Sequence, residues 1–232
     1  MTGRFFKQAS VSAGEGGFVV TLDARPLKTP AKAPFRVPAL KLAEAAAAEW
    51  NAQIDAIRPE AMPITRLINV ALDHTPRTRA EMAAQIGKFG ETDLLCHRAT
   101  KPAALVERQA RLWDPLLAWA DTHLEASLIA APGVLPHGQP EGALTALAAR
   151  AAALDDFRLT GLAHGAGLAG SAVVAFAMLE QQIAGAEAFG AASLDDLFQL
   201  ETWGEDAEAR QRLNNQQVEY EALERFFTAL NS

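Results

Sequence analysis

The chain has 232 residues, half of them hydrophobic and 21% charged, so it can bury a sizeable core and is too apolar to be disordered. Its formal net charge of −7 argues against wrapping nucleic acid or anionic lipid. A single cysteine, Cys96, excludes an internal disulfide framework and a multi-cysteine metal site.

Met1 leads almost directly into Arg4-Phe5-Phe6-Lys7, with neither the apolar run of a signal peptide nor a long transit segment. Residues 4–11 and 17–22 read as two strands of a hairpin. The run Phe18-Val19-Val20-Thr21-Leu22 is β-branched and aromatic, and Ala13-Gly14-Glu15-Gly16-Gly17 is the turn. Four prolines punctuate Arg25 to Pro38, which predicts loop with a short edge strand at Phe35-Arg36-Val37. Leu42, Ala46, Trp50 and Ile54 recur every four residues and predict a helix from Ala39 to about Ile54, broken at Arg58-Pro59.

After Pro63 the pattern turns helical. Ile64, Leu67, Ile68, Ala71 and Leu72 carry one helix to His74. Further helices are predicted near 77–89, 102–126, 140–155, 157–183, 187–203 and 206–230, with a kink or break at Asp114-Pro115 and an exposed loop over 131–140. Leu162 to Leu179 carries no Asp, Glu, Lys or Arg, but it is short and rich in Gly and Ala, which suits a buried helix better than a membrane span. The fold class expected is a small α+β domain of hairpin, short sheet and helix over 1–76, then an all-helical domain over 77–232. Forty-nine alanines fit that helical bias.

Few residues point to catalysis. Gly165, Gly167 and Gly170 spell the spacing of a dinucleotide-binding turn, but that turn needs a preceding strand, and Phe157 to Leu162 reads as helix. The glycines are better read as allowing close helix packing; a cofactor-binding enzyme using them is the alternative. The five histidines show no metal-ligand spacing, and Cys96-His97 adjacency does not align a nucleophile with a base. No cofactor, metal or catalytic residue is expected.

The charge is unevenly placed. Ser193 to Ser232 holds nine acidic residues and three arginines, whereas the chain up to Arg79 carries eleven basic and seven acidic groups. The acidic tail contains Phe198-Gln199-Leu200-Glu201-Thr202-Trp203-Gly204-Glu205-Asp206, followed by Glu208. Gly204 suits a helix C-cap, and Glu205 and Asp206 would open the next helix where its dipole favours anions. An aromatic beside carboxylates suits a basic or amide-rich partner patch. Lysine at Glu205 and Asp206 is expected to weaken capture and leave the melting temperature nearly unchanged. Trp50 beside Glu49 is the second aromatic-acidic pair, read equally well as core or as contact.

Several collinear stretches resemble a known family, the assembly chaperones that bind the alpha subunit of the ATP synthase F1 sector. They are Arg4-Phe5-Phe6-Lys7, Leu22-Asp23-Ala24-Arg25-Pro26-Leu27-Lys28-Thr29-Pro30, Ala48-Glu49-Trp50, Met62-Pro63-Ile64-Thr65-Arg66-Leu67, Thr92-Asp93-Leu94-Leu95-Cys96-His97-Arg98-Ala99, Trp113-Asp114-Pro115-Leu116-Leu117, and Phe198-Gln199 with Trp203-Gly204-Glu205-Asp206. The resemblance implies a non-catalytic binding protein, monomeric when free, that shields the unassembled alpha subunit until the beta subunit replaces it. It implies a bacterial cytoplasmic setting, or the mitochondrial matrix in eukaryotic relatives. A non-chaperone adaptor is a further alternative. The expected contact residues are Glu201, Trp203, Gly204, Glu205, Asp206 and Glu208, with Trp50, Arg66 and Asp93 as secondary candidates.

Overall fold

In the computed structural model, which describes residues 3–133, 138–204 and 206–232, the chain reverses between β1 (Ala9–Gly14) and β2 (Gly17–Leu22). The two strands are antiparallel, with Val11 opposite Val20. Gly16 and Gly17 take φ of +77° and +138°, which only glycine adopts without strain, and a Cβ on Gly17 would overlap the Val37 carbonyl. The hairpin is therefore anchored where the glycines stand.

The first strand starts later than residue 4 because the arginine there is engaged elsewhere. The Arg4 guanidinium donates to the carbonyls of Phe6, Lys7 and Gln53, and Gly3 pairs with Ala56. Two short strands complete the sheet: β3 (Arg25–Pro26) beside Thr21 and Leu22, and β4 (Arg36–Val37) beside Phe18 and Val19. β4 is the edge strand expected around Val37.

α1 (Leu40–Asn51) buries Leu42, Ala43, Ala46 and Ala47 and packs on β1 and β2. Its last residue, Asn51, bonds both the N–H and the carbonyl of Ala9 at 2.8 and 2.9 Å, in place of a neighbouring strand. The helix stops there, so Ile54 falls outside it and is 79% exposed rather than part of the buried stripe. α2 (Pro63–Asp73) begins with proline at its first turn, where no N–H is needed. Glu49 caps it, accepting from the N–H groups of Ile64 at 2.8 Å and Thr65 at 2.7 Å.

The helical part comprises α3 (Thr75–Glu91), α4 (Ala103–Leu124), α5 (Glu141–Ala153), α6 (Asp156–Ala169), α7 (Ala172–Leu179), α8 (Gly185–Ala192), α9 (Leu194–Trp203) and α10 (Ala207–Leu230). Of the kink or break expected at Asp114-Pro115, the break is excluded: α4 runs through Pro115 as one helix, because Trp113, Leu116, Trp119, Ala120 and Leu124 bury one face on both sides of the proline. Two further expectations are corrected. The helix expected over 157–183 is two, split where Gly170 turns left-handed at φ +63° and Ser171 accepts from the Val174 N–H as N-cap. The helix expected over 187–203 is also two, parted at Ser193.

The loop after α4 is not wholly exposed. Ala131 is buried, and β6 (Ala131–Pro132) pairs in parallel with β5 (His97–Arg98). Every residue of α7 is buried, so the apolar run ending at Leu179 is core. Among the described residues no helix is long and apolar enough to cross a membrane.

The small N-terminal sheet-and-helix part thus precedes a mostly helical part, as the element pattern predicts. One continuous apolar cluster joins them: Leu42, Ile64 and Ile68 belong to the same buried set as Ile86, Leu124, Leu162 and Phe226. α10 packs against α1 and α2 as well as α6 and α8, which carries the last helix of the chain back to the sheet part.

Candidate functional site

α9 opens with Asp195 and Asp196 in its first turn and buries Leu194 and Leu200 on its inner side. It ends because Gly204, at φ +98°, leaves the helical region while its N–H bonds the Leu200 carbonyl at 3.0 Å. α10 begins three residues later because Asp206 caps it, accepting from the N–H groups of Glu208 at 2.9 Å and Ala209 at 3.1 Å.

This corner presents Trp203 at 79% exposure. Water around an indole of that size is released only when something covers it. Glu201, Asp206 and Glu208, all exposed, lie within five residues of it in sequence, and Asp206 and Asp196 share a groove with it. Glu201 is held by Arg108 at 2.7 Å, whose guanidinium also lies 5.3 Å from the centre of the Phe198 ring. Glu205 lies outside the described residues. Asp206 does more than display charge: it caps the start of α10, so replacing it also removes a cap, which is expected to lower the melting temperature.

A groove of about 340 Å³ runs under Trp203 between α9 and α10, with Asp196, Leu200 and Arg212 on its sides. Arg212 also borders a second groove of about 440 Å³ along α10 that reaches Leu168 and Glu219. Glu219 in turn holds Arg66 at 2.9 Å and stands 3.6 Å from Nε2 of His164. Burial lowers the His164 pKa, with the Glu219 charge opposing. Arg66, singled out on α2, is therefore joined to the corner along one face of α10. Glu208, Arg212, Asn215 and Glu219 follow the four-three spacing of that face. The sequence reading missed Arg212 and Glu219, and that spacing was the signal for them.

The remaining two candidates stand elsewhere. Trp50 is half-buried at the end of α1, edge-on to Phe6 with ring centres 5.7 Å apart. Its indole Nε1 is buried and without a hydrogen-bond partner. Asp93 is fully buried and so offers a docked partner no surface. Its carboxylate accepts from the Leu95 N–H at 3.1 Å and, at the start of α7, from the Val173 N–H at 3.2 Å. Burial pushes its pKa up to about 6, against the lowering effect of Ser171 and the surrounding N–H groups. Its position is that of an internal cap holding the 92–98 segment to α7.

Of the three glycines whose spacing suggests a cofactor, Gly165 serves packing. Helix, not strand, precedes Gly165. A Cβ on Gly165 would stand 2.9 Å from Leu223 and 3.2 Å from Ala175, and one on Gly161 would overlap Phe227. Gly167 faces open space and Gly170 is the α6 C-cap. Cys96 is buried and its thiol is pushed up to about 12, first by burial and then by the Asp93 charge, which disfavours the nucleophilic thiolate at neutral pH. No cluster of three metal-ligating side chains occurs among the described residues.

Residues 3–121, just over half of the chain, match the family model described as ATP12 chaperone protein. The crystal structure of Atp12 from Paracoccus denitrificans superposes with a TM-score of 0.91 at 40% identity, covering 99% of this chain and 98% of that one. A mutant of the Paracoccus protein gives the same score at 39% identity, with the same coverage. The mitochondrial atp12 protein of Schizosaccharomyces pombe is 25% identical over 218 residues, 88% of this chain and 75% of that protein.

Proposed function

The chain belongs to the ATP12 chaperone family, and from that premise we propose that it is an ATP synthase assembly chaperone that holds the unassembled alpha subunit of the F1 sector. It shields the surface that alpha presents to beta, and beta replaces it. The setting proposed is the bacterial cytoplasm, in keeping with higher identity to the Paracoccus protein than to the mitochondrial one.

The observation that carries the docking site is Trp203, 79% exposed at the α9–α10 corner beside a groove that Asp196 and Asp206 line. Fully desolvated aromatics at the centre of an interface are typical energetic anchors, and rim charges set partner and register. Glu201, Gly204, Asp206 and Glu208 complete that corner, and Arg66 extends it along α10; Glu205 and Trp50 stay candidates. The client patch would be basic or amide-rich.

The physics needs no reaction. An orphan ring subunit exposes an interface that aggregates. A protein that binds only the folded orphan stabilises it by mass action. Release follows when the true partner competes for the same surface. The test is co-expression with the alpha subunit of the same organism in the absence of beta. Alpha should stay soluble, co-purify, and leave when beta is added. Alpha that stays insoluble, or that co-purifies equally well with a Trp203→Ala variant, would overturn the client or the surface respectively.

A further inference from the structure

The sheet part carries an apolar surface that the corner does not explain. Phe5 is 66% exposed and Ile54 79%. Gly3 and Ala56 form an isolated antiparallel bridge between the two segments that carry them. Behind Phe5 lies a groove of about 390 Å³ whose floor is the buried Phe6, Leu22 and Leu27 and whose rim includes Arg25 and Lys28.

The rim carries two cations, Arg25 and Lys28, against one carboxylate. Asp23 also borders the groove, but its carboxylate is occupied by the N–H groups of Lys7 at 2.8 Å and Gln8 at 2.9 Å. The Gln8 and Lys7 N–H groups hold its pKa below the usual carboxylate range, with the Lys7 and Arg25 charges adding to the effect, so it stays an anion whose oxygens are engaged by the backbone, and the excess of positive charge on the rim is one. Among the described residues, Lys7, Arg25 and Lys28 make no ion pair within 4.0 Å.

We propose that this groove is a second docking site, which takes an extended segment of a protein partner with one large apolar side chain between acidic residues. The apolar side chain enters beside Phe5 and leaves water, and the flanking carboxylates meet Arg25 and Lys28. The concavity favours an inserted side chain over a lipid surface, which is met by protruding apolar residues. The two docking sites then have opposite polarity: the α9–α10 corner takes basic or amide groups, this groove acidic ones. The groove stands independently of the alpha subunit as client.

The experiment immobilises the full chain and presents two acetylated hexapeptide pools. Both carry Leu, Phe, Met or Trp at the third position, flanked by Asp or Glu in one pool and by Lys or Arg in the other. The wild type should retain the acidic pool at least about tenfold better. Arg25→Glu combined with Lys28→Glu should abolish that preference, Phe5→Ser should weaken retention, and Trp203→Ala should keep both. All these side chains are exposed, and melting curves check that the variants fold; should Phe5→Ser not fold, the charge variant carries the test alone. Equal retention of the two pools by wild type, or an unchanged preference in the charge variant, would overturn the proposal. Capture of phosphatidylglycerol vesicles without the acidic pool would overturn it too, in favour of a membrane surface.

Discussion

Arg66 on α2 and Glu219 on α10, 153 positions apart in sequence, meet at 2.9 Å. The contact ties the sheet part to the last helix at the edge of the face that leads to Trp203. Both side chains are partly exposed, at 44% and 30%, so solvent screens the pair. A double-mutant cycle on Arg66→Ala and Glu219→Ala should return a coupling of about 0.5–1 kcal/mol in denaturant titrations. A larger value would mean that the pair organises the α2–α10 contact rather than decorating it.

Trp203→Ala separates binding from folding. With the ring 79% exposed, truncation should change stability by no more than about 0.5 kcal/mol. Capture of the client should weaken by about 2 kcal/mol or more, roughly thirtyfold, if the indole is the anchor. Asp206→Ala is the contrasting variant. Loss of the α10 cap should cost about 1 kcal/mol, read as a lower midpoint in thermal unfolding even with no client present.

Trp50→Ala should give an intermediate result. The ring is half-buried against Phe6 at 5.7 Å. The cost should be about 2 kcal/mol, below the 3–5 kcal/mol typical of a fully buried tryptophan, with the edge-on pairing contributing about 1 kcal/mol of it. Denaturant midpoints of the two proteins decide.

Asp93 should give an unusual pH dependence. Its pKa is raised from 3.8 to about 6 in the folded protein. Between those values the folded state binds the proton and the unfolded state does not, so this group's stabilising contribution is present below 3.8 and lost as pH rises through about 6. The unfolding free energy of wild type minus that of Asp93→Asn should therefore fall between pH 4 and 6 and level off by about pH 7. A difference that grows with pH in that window would mean a lowered pKa and a stabilising internal charge.

Glycine replacements within α6 test the packing role directly. Gly165→Ala would bring a methyl 2.9 Å from Leu223 and 3.2 Å from Ala175, and should destabilise by about 1–3 kcal/mol. Gly167→Ala meets nothing within 4 Å and should stabilise by up to about 1 kcal/mol through helix propensity alone. Equal effects at the two positions would refute the packing assignment.

Much of the fold was legible because its signals are local. The Gly16-Gly17 turn, the β-branched run from Phe18, the C-cap at Gly204 and the helical spacing from Ile64 onward each depend on neighbours a few residues away. The errors also have local causes. Gly170-Ser171 is a C-cap followed by an N-cap, but apolar residues on both sides mask it as one long helix. Pro115 signals a kink or a break, and the break is overridden by the buried face of α4, which continues across it. Arg4 begins an apparent strand but spends its guanidinium on carbonyls that include Gln53, nearly fifty residues away.

The sequence by itself determined the family, the order of sheet and helices, and the crowding of acidic residues around Trp203. Tertiary structure alone decided which of the marked residues can be touched. Trp203 and Asp93 stand in equally distinctive stretches, yet one is the most exposed tryptophan described and the other is fully sealed. Exposure depends on what distant segments pack against a side chain. For Asp93 that segment is the start of α7, eighty residues on, whereas the described chain leaves Trp203 79% exposed.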